Sequence, residues 1–105
     1  EAEKKDLHIV VMEETQIIGV CFYRSIDQET MQMKQVAVDP SFQRRHIGRE
    51  MFIQSIQKLK QRQVKTIMVH ARENALGFYQ KLGFEECGEP FYEVGIRHHL
   101  LKYNL

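Results

Sequence analysis

Long apolar runs are missing from this chain of 105 residues. None approaches the roughly 20 residues that a membrane-spanning helix needs, and no signal-peptide pattern is visible, so no membrane association is expected. Charge of one sign is missing as well: 15 basic residues stand against 14 acidic ones, a net charge of +1 with histidine neutral. Such a balance offers no global field for nucleic acid, and no aromatic-basic face accompanies it, so a nucleic-acid partner is not expected. The cysteines, Cys21 and Cys87, lie far apart and form no C-x-x-C pattern. They read as free, buried thiols of a reducing compartment, which makes the cytoplasm the expected location. The histidines show no ligand spacing, and neighbouring His98 and His99 on a strand would point to opposite faces, so no metal is expected. Repeats, low-complexity tracts and interdomain linkers are absent. Residues 1–105 are therefore expected to form one domain with a modest core.

What is present begins with a hairpin. Leu7-His8-Ile9-Val10-Val11-Met12 reads as a strand, residues 13–16 as a turn, and residues 17–23 as a second strand. A polar link through Asp27 and Gln28 leads to a third strand over residues 31–38. Its apolar phase is inconsistent: Met31 and Met33 share one face, while Val36 and Val38 fall on the other. Either a β-bulge inserts one residue between them, or the strand is central and buried on both faces.

A helix is predicted over residues 47–61, with Ile47, Met51, Phe52, Ile56 and Leu59 as its apolar stripe. A buried strand follows over residues 65–71. Asn74 is positioned to cap a second helix over residues 75–82 that stops at Gly83. Two further strands are predicted over residues 84–91 and 96–103, with Pro90 and Gly95 bracketing their connection. The expected order is β-β-β-α-β-α-β-β.

Two segments carry chemistry. Val36-Ala37-Val38-Asp39-Pro40-Ser41-Phe42-Gln43-Arg44-Arg45-His46-Ile47-Gly48-Arg49 reads as a strand, a turn, a basic loop and a helix start. A helix N-terminus offers free N–H groups and partial positive charge, and Arg44, Arg45 and Arg49 can neutralise a phosphate that Gly48 allows close. As charge alone this is a solvated basic turn. Its position between an apolar strand and an amphipathic helix favours a phosphate cradle. In the second segment, residues 72–84, Tyr79 offers a phenol that can give or take a proton, and Asn74 offers amide donors and an acceptor. Phe78 and Leu82 read as packing residues.

In this order and spacing the two segments resemble the GNAT superfamily of N-acetyltransferases. Gln43-Arg44-Arg45-His46-Ile47-Gly48 is similar to the acetyl-CoA motif Gln/Arg-x-x-Gly-x-Gly/Ala. Asn74, Gly77, Phe78, Tyr79, Lys81, Gly83 and Phe84 match the second family signature, and residues 91–98 resemble the end of a small bacterial subgroup. The resemblance implies an α/β (α+β) fold. Its sheet would be mixed and mostly antiparallel, with a central parallel strand pair splayed at a β-bulge. It also implies an enzyme that transfers acetyl from acetyl-CoA, as co-substrate, to a primary amine of a small molecule or peptide in a ternary complex.

On this chain the resemblance assigns cofactor binding to Val36, Ala37, Val38, Gln43, Arg44, Arg45, His46, Ile47, Gly48, Arg49, Asn74, Phe78 and Tyr79. Backbone groups of Val36 and Val38 would hold the pantetheine arm, an N–H near Val38 the oxyanion, and amides of residues 43–49 the pyrophosphate. Tyr79 would protonate the departing thiolate. Glu93 and His98, with His70, are the candidates for the base that a protonated amine requires.

The chain departs from the family at His46, where the first loop glycine is usual. A side chain fits there if the residue avoids φ > 0, but a lower pyrophosphate affinity is expected to follow from the missing glycine. The strand and two helices that normally precede the hairpin are not visible. A fragment, a truncated chain, or one that borrows the missing wall from a partner are the expectations that follow. The open hairpin edge would invite pairing in a homodimer. A non-catalytic acyl-CoA-binding or interaction module is the alternative function.

Overall fold

The computed structural model describes residues 6–43 and 45–105. Its strands are β1 (Leu7–Glu13), β2 (Gln16–Ser25), β3 (Thr30–Val38), β4 (Thr66–Arg72), β5 (Glu85–Glu86), β6 (Phe91–Glu93) and β7 (Ile96–Asn104); its helices are α1 (Ile47–Gln61) and α2 (Leu76–Leu82). One sheet runs in the order β1-β2-β3-β4-β7-β5, with β6 pairing β7 as well. All pairings are antiparallel except β3–β4, which is parallel. The fold is thus mixed α/β with one central parallel pair, as the sequence leads one to expect.

A bulge interrupts β3. Phe22 pairs with Gln35 while the next residue, Tyr23, pairs with Met33, so Lys34 is the extra residue. Met31 and Met33 thereby reach the same core as Val36 and Val38. Gln32 is buried too, so the strand is also covered on both faces before the bulge. Parallel pairing with β4 ends at Met33↔Val69, directly at the bulge. Beyond it the two strands part, leaving one edge of residues 34–38 without a β4 partner.

The core lies between the sheet and the helices. Met51, Phe52 and Leu59 of α1 are buried, with Ile47 and Ile56 half-buried on the same stripe. Ser55 is the polar residue buried among them, its hydroxyl donating to Met51 O at 2.6 Å. Tyr23, Met31, Ile67 and Leu101 meet the helices from the sheet with no exposed surface. Phe52, Phe84 and Tyr103 add a ring cluster with centroids 5.1 to 5.5 Å apart.

Two local expectations need correction. Asn74 does not cap the second helix: it sits inside a 3-10 turn, Glu73–Ala75, and α2 starts at Leu76 without a side-chain cap. The strand expected over residues 84–91 is split into β5 and β6, because Gly88 turns the backbone to φ +75° and Pro90 brings no N–H to a ladder. Gly83 ends α2 at φ 110° as expected.

Candidate active site

Asp39 ends β3, its N–H donating to Ile18 O at 2.8 Å while its Oδ1 accepts from Ser41 N–H at 2.8 Å. That capped 3-10 turn, Pro40–Phe42, reverses the chain toward α1. Gln43 folds back, its Nε2 donating to Val38 O at 3.2 Å. His46 then starts α1 at φ 61°, in the left-handed region, and makes no side-chain capping bond. Among the described residues the first N–H groups of α1 therefore have neither a helical acceptor nor a side-chain cap. The condition on His46 set by the sequence, that it avoid φ > 0, is not met; the left-handed backbone survives without glycine, at roughly 1–2 kcal/mol.

A cleft of about 790 Å³ opens between this loop, the splayed end of β3 and α2. Val36, Val38, Gln43, His46, Ile47, Gly48, Arg49, Asn74, Phe78 and Tyr79 all line it. Gly48 matters for closeness: a Cβ there would lie 3.2 Å from the Phe78 ring. Burial raises the Tyr79 phenol, with the Cys21 thiol adding to it, to about 12, so the hydroxyl keeps its proton. Within the packed core, burial pushes the Cys21 thiol up to about 11 and raises the Tyr23 phenol as well.

Two expected residues lie elsewhere. Ala37 is exposed and does not line the cleft, because the bulge turns Val36 and Val38 inward instead. Arg45 pairs with Glu13 at 3.3 Å and stacks over Phe42 at 5.0 Å, off the cleft. Arg44 falls outside the described residues. Ala75, Lys81 and Leu82 line the cleft without having been expected there. Helical spacing from Phe78 and Tyr79 could have found them, since i+3 and i+4 positions share a face.

The remaining candidates gather on the opposite face of the sheet, in a pocket of about 380 Å³. Glu93 is its centre: Oε1 lies 3.4 Å from His70 Nδ1 and 3.8 Å from His98 Nε2. Neither contact is aligned as a hydrogen bond, and His70 Nδ1 is buried without a hydrogen-bond partner. His98 Nδ1 lies 2.8 Å from Ile96 O, a carbonyl that can only accept, so Nδ1 carries a proton there. In neutral His98 the Nε2 facing Glu93 is then an acceptor.

Gln32, Met33, Lys34, Arg72, Val94 and Ile96 complete the lining. Glu93 is delivered by a two-residue turn in which Val94 has φ 53° and Gly95 φ 72°. A β-branched residue in that region is strained, and Val94 is 92% exposed.

His99 points the other way, as adjacent strand positions must. Its Nδ1 contacts Glu86 Oε2 and its Nε2 lies 3.2 Å from Glu73 Oε1. Hydrogen bonds to Glu86 and then Glu73 raise its pKa above the ordinary histidine value, and the His99 bond with Arg97 nearby lowers that of Glu73. Among the described residues no group of three or more His, Cys, Asp or Glu could hold a metal ion, and no helix is long and apolar enough to cross a membrane.

The parallel strand pair of a mixed sheet thus parts between a helix-start loop and an acid–imidazole pocket. A family model described as "Acetyltransferase (GNAT) domain" matches residues 1–105, so the chain belongs to the GNAT acetyltransferase family. A UPF0039 protein of Schizosaccharomyces pombe is 32% identical over 73 residues, 68% of this chain and 49% of that protein. The ribosomal protein bS18-alanine N-acetyltransferase of Salmonella typhimurium is 41% identical over 55 residues, 50% of this chain and 37% of that protein. A GNAT family acetyltransferase from Elizabethkingia anophelis, solved with acetyl-CoA bound, has a TM-score of 0.82 at 26% identity. That alignment covers 96% of this chain and 77% of the other. The match thus spans about half of the yeast protein and a smaller share of the Salmonella enzyme.

Proposed function

We propose that this chain transfers the acetyl group of acetyl-CoA to a primary amine by direct attack in a ternary complex. One observation carries the reading: the cleft and the acid–imidazole pocket both border the gap where β3 and β4 part. β3 lends Val36 and Val38 to the cleft, and Gln32 to Lys34 to the pocket; β4 lends His70 and Arg72 to the pocket. A thioester entering from the helix face would thus meet an amine entering from the other.

The residues fit such a co-substrate. The cleft volume lies in the range of ordinary ligand pockets. The unpaired edge of β3 past the bulge offers backbone groups to the amides of a pantetheine arm, as strand addition does. The open N-terminus of α1, with Arg49 and Lys81 beside it, suits a pyrophosphate. An acetyl-CoA-bound relative of the same fold supports this assignment.

Chemistry then divides between the two sides. Glu93, assisted by His70 and His98, takes a proton from the amine. The amine nitrogen bonds to the thioester carbon, and the C–S bond breaks as the tetrahedral intermediate collapses. Tyr79 donates its phenolic proton to the leaving thiolate.

Calorimetry with acetyl-CoA, followed by thiol release in the presence of amines, tests the reading. Saturable binding with amine-dependent release supports it, and absence of binding at millimolar acetyl-CoA overturns it. Binding with no release from any amine would leave a non-catalytic acyl-CoA-binding module.

A further inference from the structure

The pocket around Glu93 has an uneven charge pattern that constrains its occupant. On its floor polar atoms converge: the Glu93 carboxylate, His98 Nε2 3.8 Å away, and buried His70 Nδ1 at 3.4 Å without an aligned hydrogen bond. With His98 Nδ1 committed to the Ile96 carbonyl, the Nε2 of neutral His98 is an acceptor facing the Glu93 carboxylate, with no donor between the two. A group with several N–H donors and positive charge satisfies that floor, and an ammonium is such a group.

Its rim is opposite in sign. Lys34, exposed by the bulge, and Arg72, at the end of β4, both line the pocket. Among the described residues neither has a carboxylate within ion-pair distance. Two unpaired cations at the mouth repel a polycation and attract an anion. Gln32 adds a buried amide on the same lining.

We propose that the acceptor is an amine bearing a carboxylate, its ammonium seated at Glu93 and its carboxylate held by Lys34 and Arg72. This rests on the acetyl-transfer reading for what happens next, but the binding preference stands on the pocket alone. It selects amino acid-like acceptors and disfavours polyamines and aminoglycosides.

Matched pairs that differ only in the anion make the test: glycine, β-alanine and γ-aminobutyrate against their carboxamides, with spermidine as the polycation. Binding is read from the histidine ring NMR signals of the CoA-loaded protein, and turnover from thiol release. At least one free acid should bind on the order of tenfold or more tightly than its amide, the scale of a charge-assisted hydrogen bond. The double variant Lys34→Gln, Arg72→Gln should erase that difference while acetyl-CoA affinity stays as in the parent. Both positions are exposed, so the variant is expected to fold, which circular dichroism checks.

Equal or tighter binding of the amides or spermidine overturns the proposal, as does binding of the acids that persists undiminished in the double variant. No acid binding at any tested concentration also overturns it. Acid-selective binding without thiol release would uphold the pocket inference and sink the transferase reading, so the two fail separately.

Discussion

The cleft on the helix face and the pocket on the other face of the sheet are built on different principles. The cleft is local in sequence: most of its lining comes from residues 36–49 and 74–82, two stretches that each fold as a unit. Much of what it presents is backbone, namely a strand edge freed by a bulge and a helix start with no side-chain cap among the described residues. The pocket is assembled from side chains on β3, β4, β6 and β7, which meet only because Arg72 pairs with His98 and Phe91 pairs with His98 on its other side. Backbone sites tolerate sequence change so long as the fold persists, whereas side-chain sites change with each substitution.

The largest effect should come from the one residue with chemistry on the cleft side. Tyr79→Phe is expected to lower kcat by about 10²–10⁴-fold while acetyl-CoA affinity hardly moves, as general-acid loss does. Stopped-flow thiol release and calorimetry separate the two, and an unchanged kcat removes Tyr79 from the mechanism. Because its pKa lies near 12, no loss of this acid is expected between neutral pH and pH values well below that.

On the pocket side, Glu93→Gln should lower kcat by on the order of 10²-fold, with His70 and His98 still present as partial substitutes. Acetyl-CoA binding should again be unaffected. A fall in acetyl-CoA affinity instead would mean that the two sites are not separate.

Each site also contains a strained residue, His46 at φ 61° and Val94 at φ 53°. His46→Gly and Val94→Asn should each raise stability by up to about 1 kcal/mol in urea melts, the relieved left-handed cost outweighing, for glycine, the added freedom of the unfolded chain. A destabilised His46→Gly would show that its side chain supplies more than the backbone costs.

His99 gives a smaller, pH-dependent term. Its folded pKa lies above the ordinary 6.5, so its contribution is full below that value and is lost as pH rises through the raised pKa. Glu73 has the opposite sense, contributing above its ordinary 4.5 and losing that contribution as pH falls through its lowered value. Melting temperatures across pH should therefore fall on the alkaline side, and His99→Gln should flatten that slope. The smallest effect belongs to Arg45→Gln, within about 1 kcal/mol because its pair with Glu13 is exposed. It should leave acetyl-CoA affinity alone, since Arg45 lies off the cleft.

Legibility followed the same division. The α1 boundaries could be read from its apolar stripe and the preceding loop, while the phase slip between Met33 and Val36 left a bulge and two-sided burial open, and β3 shows both. Asn74 misled because cap-forming residues also suit 3-10 turns, and the residue before it, Glu73, meets His99 26 positions away, a contact that no local pattern announces. The break between β5 and β6 was signalled by Gly88 and Pro90, yet pairing with opposite ends of β7 made both pieces strands.

By itself the sequence determined the element order, the loop feeding α1 and the two motifs of the family, because periodicity, turn chemistry and helix starts act over a few residues; for the third strand it left a bulge and two-sided burial open. Only the tertiary structure decided that Ala37 and Arg45 turn away from the cleft and that Glu93, His70 and His98 converge. It also decided that Lys34 and Arg72 share their pocket. Those placements depend on strand register and on which face a bulge presents, and neither is a local property of the chain.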